Sequence, residues 1–228
     1  MAKIMAVEPA LVMSPIIVNR EIAPDQFLLS LRLPSSFPTP APGQFVMLKA
    51  SDCESPLLPR PFSIYAFNRK RGHSVLEIIY RIAGQGTRLL SSLPPGLTLR
   101  IMGPQGQGFT ILPERKNMIL IAGGIGLAPL SFLAGPCHAI GQKGGTKGDG
   151  YLDRRITFYV GAKTASALVG LTRLEDLCSD LRISTDDGSR GFPGTVNKLF
   201  RRDIARYKPE DTAIYACGPV PMLKELAE

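Results

Sequence analysis

The sequence predicts two domains of the β plus α/β class, an N-terminal six-stranded antiparallel β-barrel followed by a doubly wound parallel sheet. Three observations predict it. The first half carries short β-rich runs, the second half alternates strand and helix patterns, and 23 glycines with 20 prolines favour many turns and little helix. We expect domains at residues 1–110 and 111–228.

Six β-rich or alternating runs fill the first half, separated by Pro, Gly, Asn and Asp. They cover residues 12–21, 26–33, 43–50, 60–67, 75–82 and 97–102. Runs this close in sequence favour a small antiparallel barrel. A short helix is expected at 87–93, opened by Gly86 and Thr87, where it would close one end of the barrel.

Beyond Gly108 the pattern becomes strand, helix, strand. Strands are expected at 118–121, 156–160, 181–184 and 213–216, with helices from Leu127, around 171–178, from Val196 and from Met222. This repetition predicts a parallel sheet covered by helices on both faces. Residues 141–150 include five glycines and are expected to be a flexible insertion.

The net charge of +8 favours anionic partners, such as a phosphorylated cofactor, nucleic acid or an acidic protein. Because the basic residues are scattered, with short clusters only at 69–71 and 201–202, we expect solvated faces and no nucleic-acid partner. The cysteines have no CxxC spacing, so no metal site is predicted. They are Cys53, Cys137, Cys178 and Cys217.

One stretch, residues 117–142, has no charged residue and is long enough to cross a bilayer. Its glycines and Pro129 lie in the middle, so a strand, a glycine turn and a helix explain it better than a membrane span. The N-terminus lacks a secretory pattern. We therefore expect a cytoplasmic protein with no membrane partner.

The strongest chemical motif is Ala-Gly-Gly-Ile-Gly-Leu-Ala-Pro at 122–129, directly after a strand and before a helix. Glycines such as Gly124 and Gly126 let the backbone approach a pyrophosphate, and the helix N-terminus offers N–H donors. Pro129 suits the first helical turn, where a missing N–H costs nothing. A glycine turn without a ligand is the alternative.

A second turn, Cys217-Gly218-Pro219, also follows a strand and precedes a helix. It would place a thiol at the carboxyl edge of the same sheet, where open α/β folds bind ligands. A small buried cysteine is the alternative.

Polar and glycine residues of the barrel half could hold an elongated anion. Arg60 could pair with a phosphate, Ser63 could donate to a ring nitrogen, and Gly86 with Thr87 could present donors to a second phosphate. Read singly, each is a surface strand or cap residue. The residues concerned are Arg60, Pro61, Phe62, Ser63, Ile79, Tyr80, Arg81, Gly86 and Thr87.

These motifs together resemble the ferredoxin reductase superfamily and, within it, the family of dihydroorotate dehydrogenase electron-transfer subunits. The similarity spans most of residues 12–228. It rests on RPFS at 60–63, IYR at 79–81, GQGT at 84–87, GPQGQGF at 103–109, AGGIGLAP at 122–129, STDDGS at 184–189 and YACGP at 215–219.

The resemblance implies an FAD-binding barrel and an NAD-binding domain, with hydride transfer between nicotinamide C4 and flavin N5 and no side chain needed as acid or base. By it, residues 60–63 hold the flavin, residues 79–81 line its ribityl and ring side, and residues 86–87 hold its pyrophosphate. Gly124, Gly126 and Pro129 would face the pyridine nucleotide, with Cys217, Gly218 and Pro219 near the nicotinamide. Cys217 and Ser63 are the candidate catalytic residues.

Asp186 and Asp187 end the third strand of the second domain. Carboxylates there would accept hydrogen bonds from a ribose 2′-OH and repel a 2′-phosphate, which favours NAD over NADP. Arg190 lies close by, and an Asx turn is the alternative.

One departure from the family concerns iron. Its members carry a cysteine cluster for a [2Fe-2S] centre after the helix that follows CGP, and those ligands are absent from this sequence, which ends at Glu228. The resemblance implies a hetero-oligomer with a dihydroorotate dehydrogenase catalytic subunit in pyrimidine biosynthesis. Alternatives are the flavin subunit of an NADH-dependent ferredoxin:NADP oxidoreductase, a sulfide dehydrogenase or a sulfhydrogenase, and a non-catalytic nucleotide-binding module.

Overall fold

The computed structural model describes residues 8–50, 59–142 and 154–228. The chain divides into two units, the first ending at Phe109 and the second beginning at Thr110. Cys53 and most of the expected insertion at 141–150 lie outside the described residues.

The first unit is an antiparallel sheet of seven strands in the order β4-β3-β7-β1-β2-β6-β5. All neighbouring strands pair antiparallel, which confirms the predicted fold class. The strands are β1 (Ala10–Ala23), β2 (Gln26–Pro34), β3 (Phe45–Ala50), β4 (Arg60–Ser63), β5 (Ala66–Lys70), β6 (His73–Arg81) and β7 (Thr98–Gln105).

The strand count differs from the predicted six because the run at 60–67 is divided into β4 and β5. These two strands stand at opposite ends of the strand order, yet only Ile64 and Tyr65 join them. The Tyr65 N–H donates to the Glu77 carbonyl of β6 at 2.8 Å. The two ends of the sheet are therefore drawn together, which is the geometry of a barrel. Ile64, Tyr65 and Ala66 are all buried, so the apolar run shows no break where the chain turns.

A helix α1 (Gln85–Ser91) follows β6 and begins two residues before the predicted start. Thr87 lies inside its first turn, where the Thr87 hydroxyl oxygen accepts hydrogen bonds from the N–H groups of Ala83 and Gly84 at 2.8 and 3.2 Å. At its other end, Asn19 Nδ2 donates to the carbonyls of Leu90 and Leu93 at 2.7 and 2.9 Å. Strand β1 thus fixes the end of the helix that follows β6.

The second unit is a parallel sheet in the order β11-β10-β9-β8-β12, as predicted. The two-residue strand β11 was not predicted. The strands are β8 (Asn117–Gly123), β9 (Arg155–Ala162), β10 (Asp180–Thr185), β11 (Phe192–Pro193) and β12 (Thr212–Cys217); the helices are α2 (Leu127–Gln142), α3 (Leu171–Leu177), α4 (Val196–Asp203) and α5 (Val220–Ala227).

The charge-free stretch at 117–142 forms β8, a 3-10 turn and α2, as the glycines predict. In the ranges that the structure covers, no helix is both long enough and apolar enough to span a membrane.

The strand order reverses between β8 and β12. From β8 the chain moves outward through β9 and β10 to β11, then returns to place β12 on the other side of β8. The right-handed crossovers of such a reversal put α2 and α3 on one face of the sheet and α4 and α5 on the other. In doubly wound sheets, ligands bind at the carboxyl ends of the strands at this switch point.

Behind the sheet, α4 ends at Asp203, whose side chain is 2% exposed. Asp203 Oδ2 accepts hydrogen bonds from Arg182 Nη1 at 3.1 Å and from the Tyr159 hydroxyl at 3.2 Å. The Tyr159 and Tyr207 hydroxyls are 2.7 Å apart. Burial, followed by the neighbouring Tyr207, raises the pKa of Tyr159, so its hydroxyl remains a donor. This buried polar cluster fixes α4 against β9 and β10.

Candidate functional site

The glycine turn after β8 is placed at the switch point. Gly124 has φ +55°, and a β-carbon added there would meet nothing within 4 Å, so it faces open space with a backbone that favours glycine. Gly126 is buried, and an added β-carbon would overlap the Cys217 carbonyl and come within 3.0 Å of the Gly218 nitrogen. The two predicted turns therefore touch each other through main-chain atoms.

Pro129 occupies the first turn of α2 and is buried. Its side chain is positioned to shape the start of the helix, where the N–H of a residue has no helical partner. A contact with a nucleotide, as the resemblance implies, stays a prediction.

The Cys217 thiol is partly buried at the end of β12, and burial raises its pKa. It is therefore a neutral thiol near pH 7 and not a thiolate nucleophile. This environment supports a packing or positioning role at the switch point.

Met222, which no sequence motif marks as a site residue, packs against both glycine turns. Added β-carbons on Gly123 and Gly218 would lie 2.6 and 2.8 Å from Met222 Sδ. Pro219 precedes α5 and is exposed, and its carbonyl accepts from the Leu223 N–H at 3.1 Å. The only sequence signal is the position of Met222, three residues after Pro219, within the first turn of the helix.

The helix α5 is held in place by α4. Asn197 Nδ2 donates to the Met222 carbonyl at 3.0 Å and to Glu225 Oε2 at 2.7 Å. Arg201 Nη2 donates to the Glu225 carbonyl at 2.9 Å. Asn197 is 1% exposed, so a buried amide fixes the position of Met222. Nothing in the local sequence separates this asparagine from a surface residue.

Asp186 and Asp187 follow β10 and are both exposed. Their N–H groups donate to the carbonyls of Ala162 and Lys163 at 3.0 and 3.2 Å, which ties this turn to the end of β9. Asp187 Oδ1 accepts from the Ser189 hydroxyl at 2.6 Å and the Ser189 N–H at 3.0 Å. These hydrogen bonds lower the pKa of Asp187. Asp187 forms the Asx turn considered above, so Asp186 is the better candidate for a ribose.

In the barrel, Arg60 and Gly86 are in contact. A β-carbon added to Gly86 would overlap the Arg60 guanidinium and lie 2.6 Å from Nη1. Gly86 stands in the first turn of α1, whose initial N–H groups have no helical partner. The structure thus brings together a cation and main-chain donors, the two predicted parts of a phosphate-binding group.

Phe62 is tied to the same helix through Tyr80. The Phe62 and Tyr80 rings meet edge to face with centroids 5.9 Å apart. The Tyr80 hydroxyl donates to Asn19 Oδ1 at 2.9 Å, and Asn19 caps the end of α1. Burial raises the pKa of Tyr80.

The remaining predicted barrel residues differ in accessibility. Pro61, Ser63 and Arg81 are exposed. Tyr80 and Ile79 are 2% and 5% exposed, so they present little surface to a flavin. The Thr87 hydroxyl donates to the Gly84 carbonyl at 3.1 Å, which turns its proton away from an external phosphate.

No cluster of three His, Cys, Asp or Glu side chains that could hold a metal ion occurs within residues 8–50, 59–142 and 154–228.

Comparison with known proteins shows the family to which the chain belongs. Residues 14–109 match the family described as oxidoreductase FAD-binding domain. The chain is 34% identical over 206 residues to the dihydroorotate dehydrogenase B (NAD(+)) electron transfer subunit of Desulforamulus reducens, covering 90% of this chain and 72% of the relative. The same subunit of Caldanaerobacter subterraneus subsp. tengcongensis is 33% identical over 214 residues, covering 93% and 74%.

Solved structures share the fold. The NADH-dependent reduced ferredoxin-NADP oxidoreductase, described for flavin-based electron bifurcation, aligns with a TM-score of 0.75 and 25% identity, covering 93% of this chain and 70% of the other. A ferredoxin NADP+ reductase from Neisseria gonorrhoeae, with bound FAD and NADP, aligns with a TM-score of 0.75 and 18% identity, covering 94% and 88%.

The barrel, the switch-point turns and the FAD-binding match define a class, the FAD-dependent oxidoreductases with the ferredoxin reductase fold. Identity above 30% over most of both chains is more specific. The chain belongs to the family of dihydroorotate dehydrogenase B electron transfer subunits. The family resemblance drawn from the motifs is thereby confirmed.

Proposed function

We propose that this chain binds FAD on its barrel and NAD(H) on its parallel sheet, and that it relays electrons to or from a dihydroorotate-oxidising catalytic subunit in pyrimidine biosynthesis. The observation that carries the proposal is the contact of Gly126 with Cys217 and Gly218 at the switch point. A glycine turn at a helix start, pressed against the turn of the neighbouring strand, is where this sheet can accept a dinucleotide.

On the barrel, the Arg60 guanidinium and the first N–H groups of α1 would bind the FAD pyrophosphate, with Gly86 allowing their close approach. Phe62 would pack against the flavin, and the exposed Ser63 hydroxyl would donate to a ring nitrogen. Ile79 and Tyr80 would border the ribityl chain, with Arg81 beside them. Bound FAD supplies the acceptor for a nicotinamide hydride and can release electrons singly.

On the parallel sheet, the open face of Gly124 would admit the nucleotide pyrophosphate. Cys217, Gly218 and Pro219 would border the nicotinamide. Because burial raises the pKa of Cys217, its role is to position the ring and limit water, and no proton transfer through the thiol is required.

NAD is favoured over NADP by the exposed Asp186, which would accept a hydrogen bond from a ribose 2′-OH and repel a phosphate. Asp187 supports the turn through Ser189. Lys163 and Arg190 lie on the connecting loops and oppose this preference in part.

The residues that the structure describes do not fit an iron–sulfur centre, since no group of three candidate ligands is assembled among them. No step through such a cluster is derived for the described residues. A cytoplasmic location accompanies this function as a prediction.

The test is an anaerobic titration of the FAD-loaded chain with NADH. We expect NADH to bleach the visible flavin absorbance. NADPH at the same concentration should bleach it more slowly. A chain that takes up no FAD, or whose FAD is not bleached by either nucleotide, would leave only the non-catalytic nucleotide-binding module among the alternatives.

A second candidate is the flavin subunit of an NADH-dependent ferredoxin:NADP oxidoreductase. The structural alignment with such an enzyme, at a TM-score of 0.75, favours it. Purification with the native partner separates the two candidates, because one partner would oxidise dihydroorotate and the other would reduce NADP. The sulfide dehydrogenase and sulfhydrogenase alternatives are tested by the same purification.

A further inference from the structure

One outer face of the barrel carries a compact set of apolar and basic side chains. Strand register places Met47, Met102 and Leu11 in one row across β3, β7 and β1. The next row on the same face contains Lys49, Arg100 and Met13. Residues directly opposite each other on neighbouring strands share a face. We call these six residues the outer barrel patch.

The patch is unusually apolar for a surface. Leu11 is 64% exposed, Met13 52% and Met102 36%. Ile17 follows in the same alternation of β1 and extends the patch, at 37%. Together with Leu97, which lies beside β7, these are the exposed large apolar side chains of the described part of the barrel, and all five lie in β1, in β7 or directly beside them. Contiguous exposed apolar surface of this kind marks interaction sites.

The charged residues of the patch repel each other. Lys49 stands directly opposite Arg100, and like charges in this arrangement destabilise a sheet. Acidic residues are missing from the outward positions of the paired segments, which are Leu11, Met13, Pro15, Phe45, Met47, Lys49, Thr98, Arg100 and Met102. The barrel therefore keeps a repulsive pair in the middle of an apolar surface, where an anionic partner would relieve it.

A second copy of this chain is a poor occupant of the patch. In a symmetric dimer the same patch contributes from both sides, so four basic groups would meet with no carboxylate between them. The partner that fits is a different protein with an apolar surface and carboxylates that reach Lys49 and Arg100. Methionines at three of the six positions would adapt to such a surface.

We propose that the outer barrel patch is the docking surface for the catalytic subunit, which meets it with apolar side chains flanked by carboxylates. This inference rests on the proposed function, because that function requires a second subunit to receive electrons. The six residues of the patch are not flavin or nucleotide residues, although the flavin residue Pro61 stands directly opposite Met47 on β4.

The test measures binding of the full chain, loaded with FAD, to the dihydroorotate-oxidising subunit encoded in the same genome. Arg100→Glu places a carboxylate opposite Lys49, so we expect an unchanged or higher Tm together with association weakened by about tenfold or more. The double variant Leu11→Ser, Met13→Ser should also weaken association by about tenfold. If Arg100 only supported the fold, Arg100→Glu would weaken association through a lower Tm. An unchanged or higher Tm together with weaker association therefore indicates a direct contact with the partner.

Matched controls lie in the second unit. Lys208→Glu reverses an exposed charge and Ile204→Ser removes an apolar side chain that is 50% exposed. Both should bind like the unmodified chain. Added salt should weaken the unmodified complex more than the Arg100→Glu complex, because a charge contact has been removed from the latter.

The proposal is overturned if the patch variants bind like the unmodified chain, or if the unmodified chain forms no complex with that subunit. A dimer of this chain that the patch variants abolish would identify a second copy as the occupant and would also overturn it. NADH bleaching is measured on the same samples without the partner. Loss of bleaching in the unmodified chain rejects the proposed function, whereas normal bleaching with unaltered binding rejects the docking surface alone.

Discussion

A β-carbon added to Gly126 would overlap the carbonyl of Cys217, so any other residue type would push apart the turns after β8 and β12. Two strands that are distant in sequence are adjacent in the sheet, and their turns contact each other through main-chain atoms. The candidate dinucleotide site therefore depends on main-chain packing as well as on side-chain chemistry.

Replacing Gly126 with alanine should damage this site selectively. The new methyl group would displace the Cys217 turn, at a cost of about 1–3 kcal/mol, as overpacking typically has. We expect FAD binding to persist while bleaching by NADH needs much more nucleotide. Gly135→Ala is the control, since an added β-carbon there meets nothing within 4 Å in helix α2. Equal NADH responses in the two variants would contradict the role given to Gly126.

The raised pKa of Cys217 predicts slow alkylation. Thiolate is the reactive form, and a pKa above the ordinary value leaves less thiolate at neutral pH. At pH 7.5 we expect iodoacetamide to modify Cys217 more slowly than a free cysteine peptide, as followed by peptide mass spectrometry. Cys217→Ser should retain NADH bleaching with an unaltered pH profile between pH 6 and 8. A new pH dependence in the variant would instead mean that the thiol titrates during turnover.

Breaking the hydrogen bond between Asn19 and Tyr80 should lower the affinity for FAD. Asn19→Ala removes the donor to two carbonyls at the end of α1 and the acceptor of the Tyr80 hydroxyl, so about 1–3 kcal/mol of stability should be lost. Tyr80→Phe leaves only Asn19 Oδ1 without its donor and should cost about 1 kcal/mol. Flavin fluorescence on dilution measures retention, and we expect the order unmodified, Tyr80→Phe, Asn19→Ala. Ser91→Ala, on the exposed side of α1, should retain FAD normally.

Among the substitutions considered in the second unit, replacing the buried Asp203 should lower stability most. Asp203→Asn removes the charge that Arg182 and its neighbours face, and breaking a buried ion pair costs about 3 kcal/mol or more. Denaturant unfolding should show a lower midpoint with FAD content unchanged. Glu114→Gln, which breaks an ion pair with Arg115 at a glutamate that is 60% exposed, should alter stability little. Comparable losses in both variants would contradict the importance of burial.

Asp186→Ser should narrow the preference for NADH over NADPH, because a carboxylate no longer opposes the 2′-phosphate. Asp187→Ser should destabilise the turn and change the preference for NADH less than Asp186→Ser does, since Asp187 accepts hydrogen bonds from Ser189. The lowered pKa of Asp187 means that it stays ionised as pH falls toward its ordinary value, so the turn should hold from pH 6 to 8. Ratios of NADH and NADPH efficiency for the two variants test both statements.

The architecture of both units could be predicted from the sequence because each depends on local patterns. Glycine turns after apolar runs located the carboxyl ends of β8 and β12, and alternating runs located most barrel strands. The division of residues 60–67 was missed, because Ile64, Tyr65 and Ala66 remain apolar and buried through the turn. A local sequence pattern does not show which neighbouring strand a segment pairs with.

The supporting residues could not be predicted for a related reason. Asn197 and Asn19 act through carbonyl groups 25 and more residues away, and both resemble surface residues in sequence. Met222 has no motif beyond its helical position. Arg60 and Gly86 were each predicted, but their direct contact depends on how β4 and α1 pack.

The place of β7 determines when the flavin site can form in the cell. Made last among the barrel strands, β7 inserts between β3 and β1. Until Gln105 has left the ribosome, β3 and β1 have no strand between them, and Arg60 is attached to the strands that support α1 only through the short link at Ile64 and Tyr65. We therefore expect a nascent chain to take up flavin firmly only once β7 has joined the sheet, and a chain whose translation stops before β7 to retain flavin poorly.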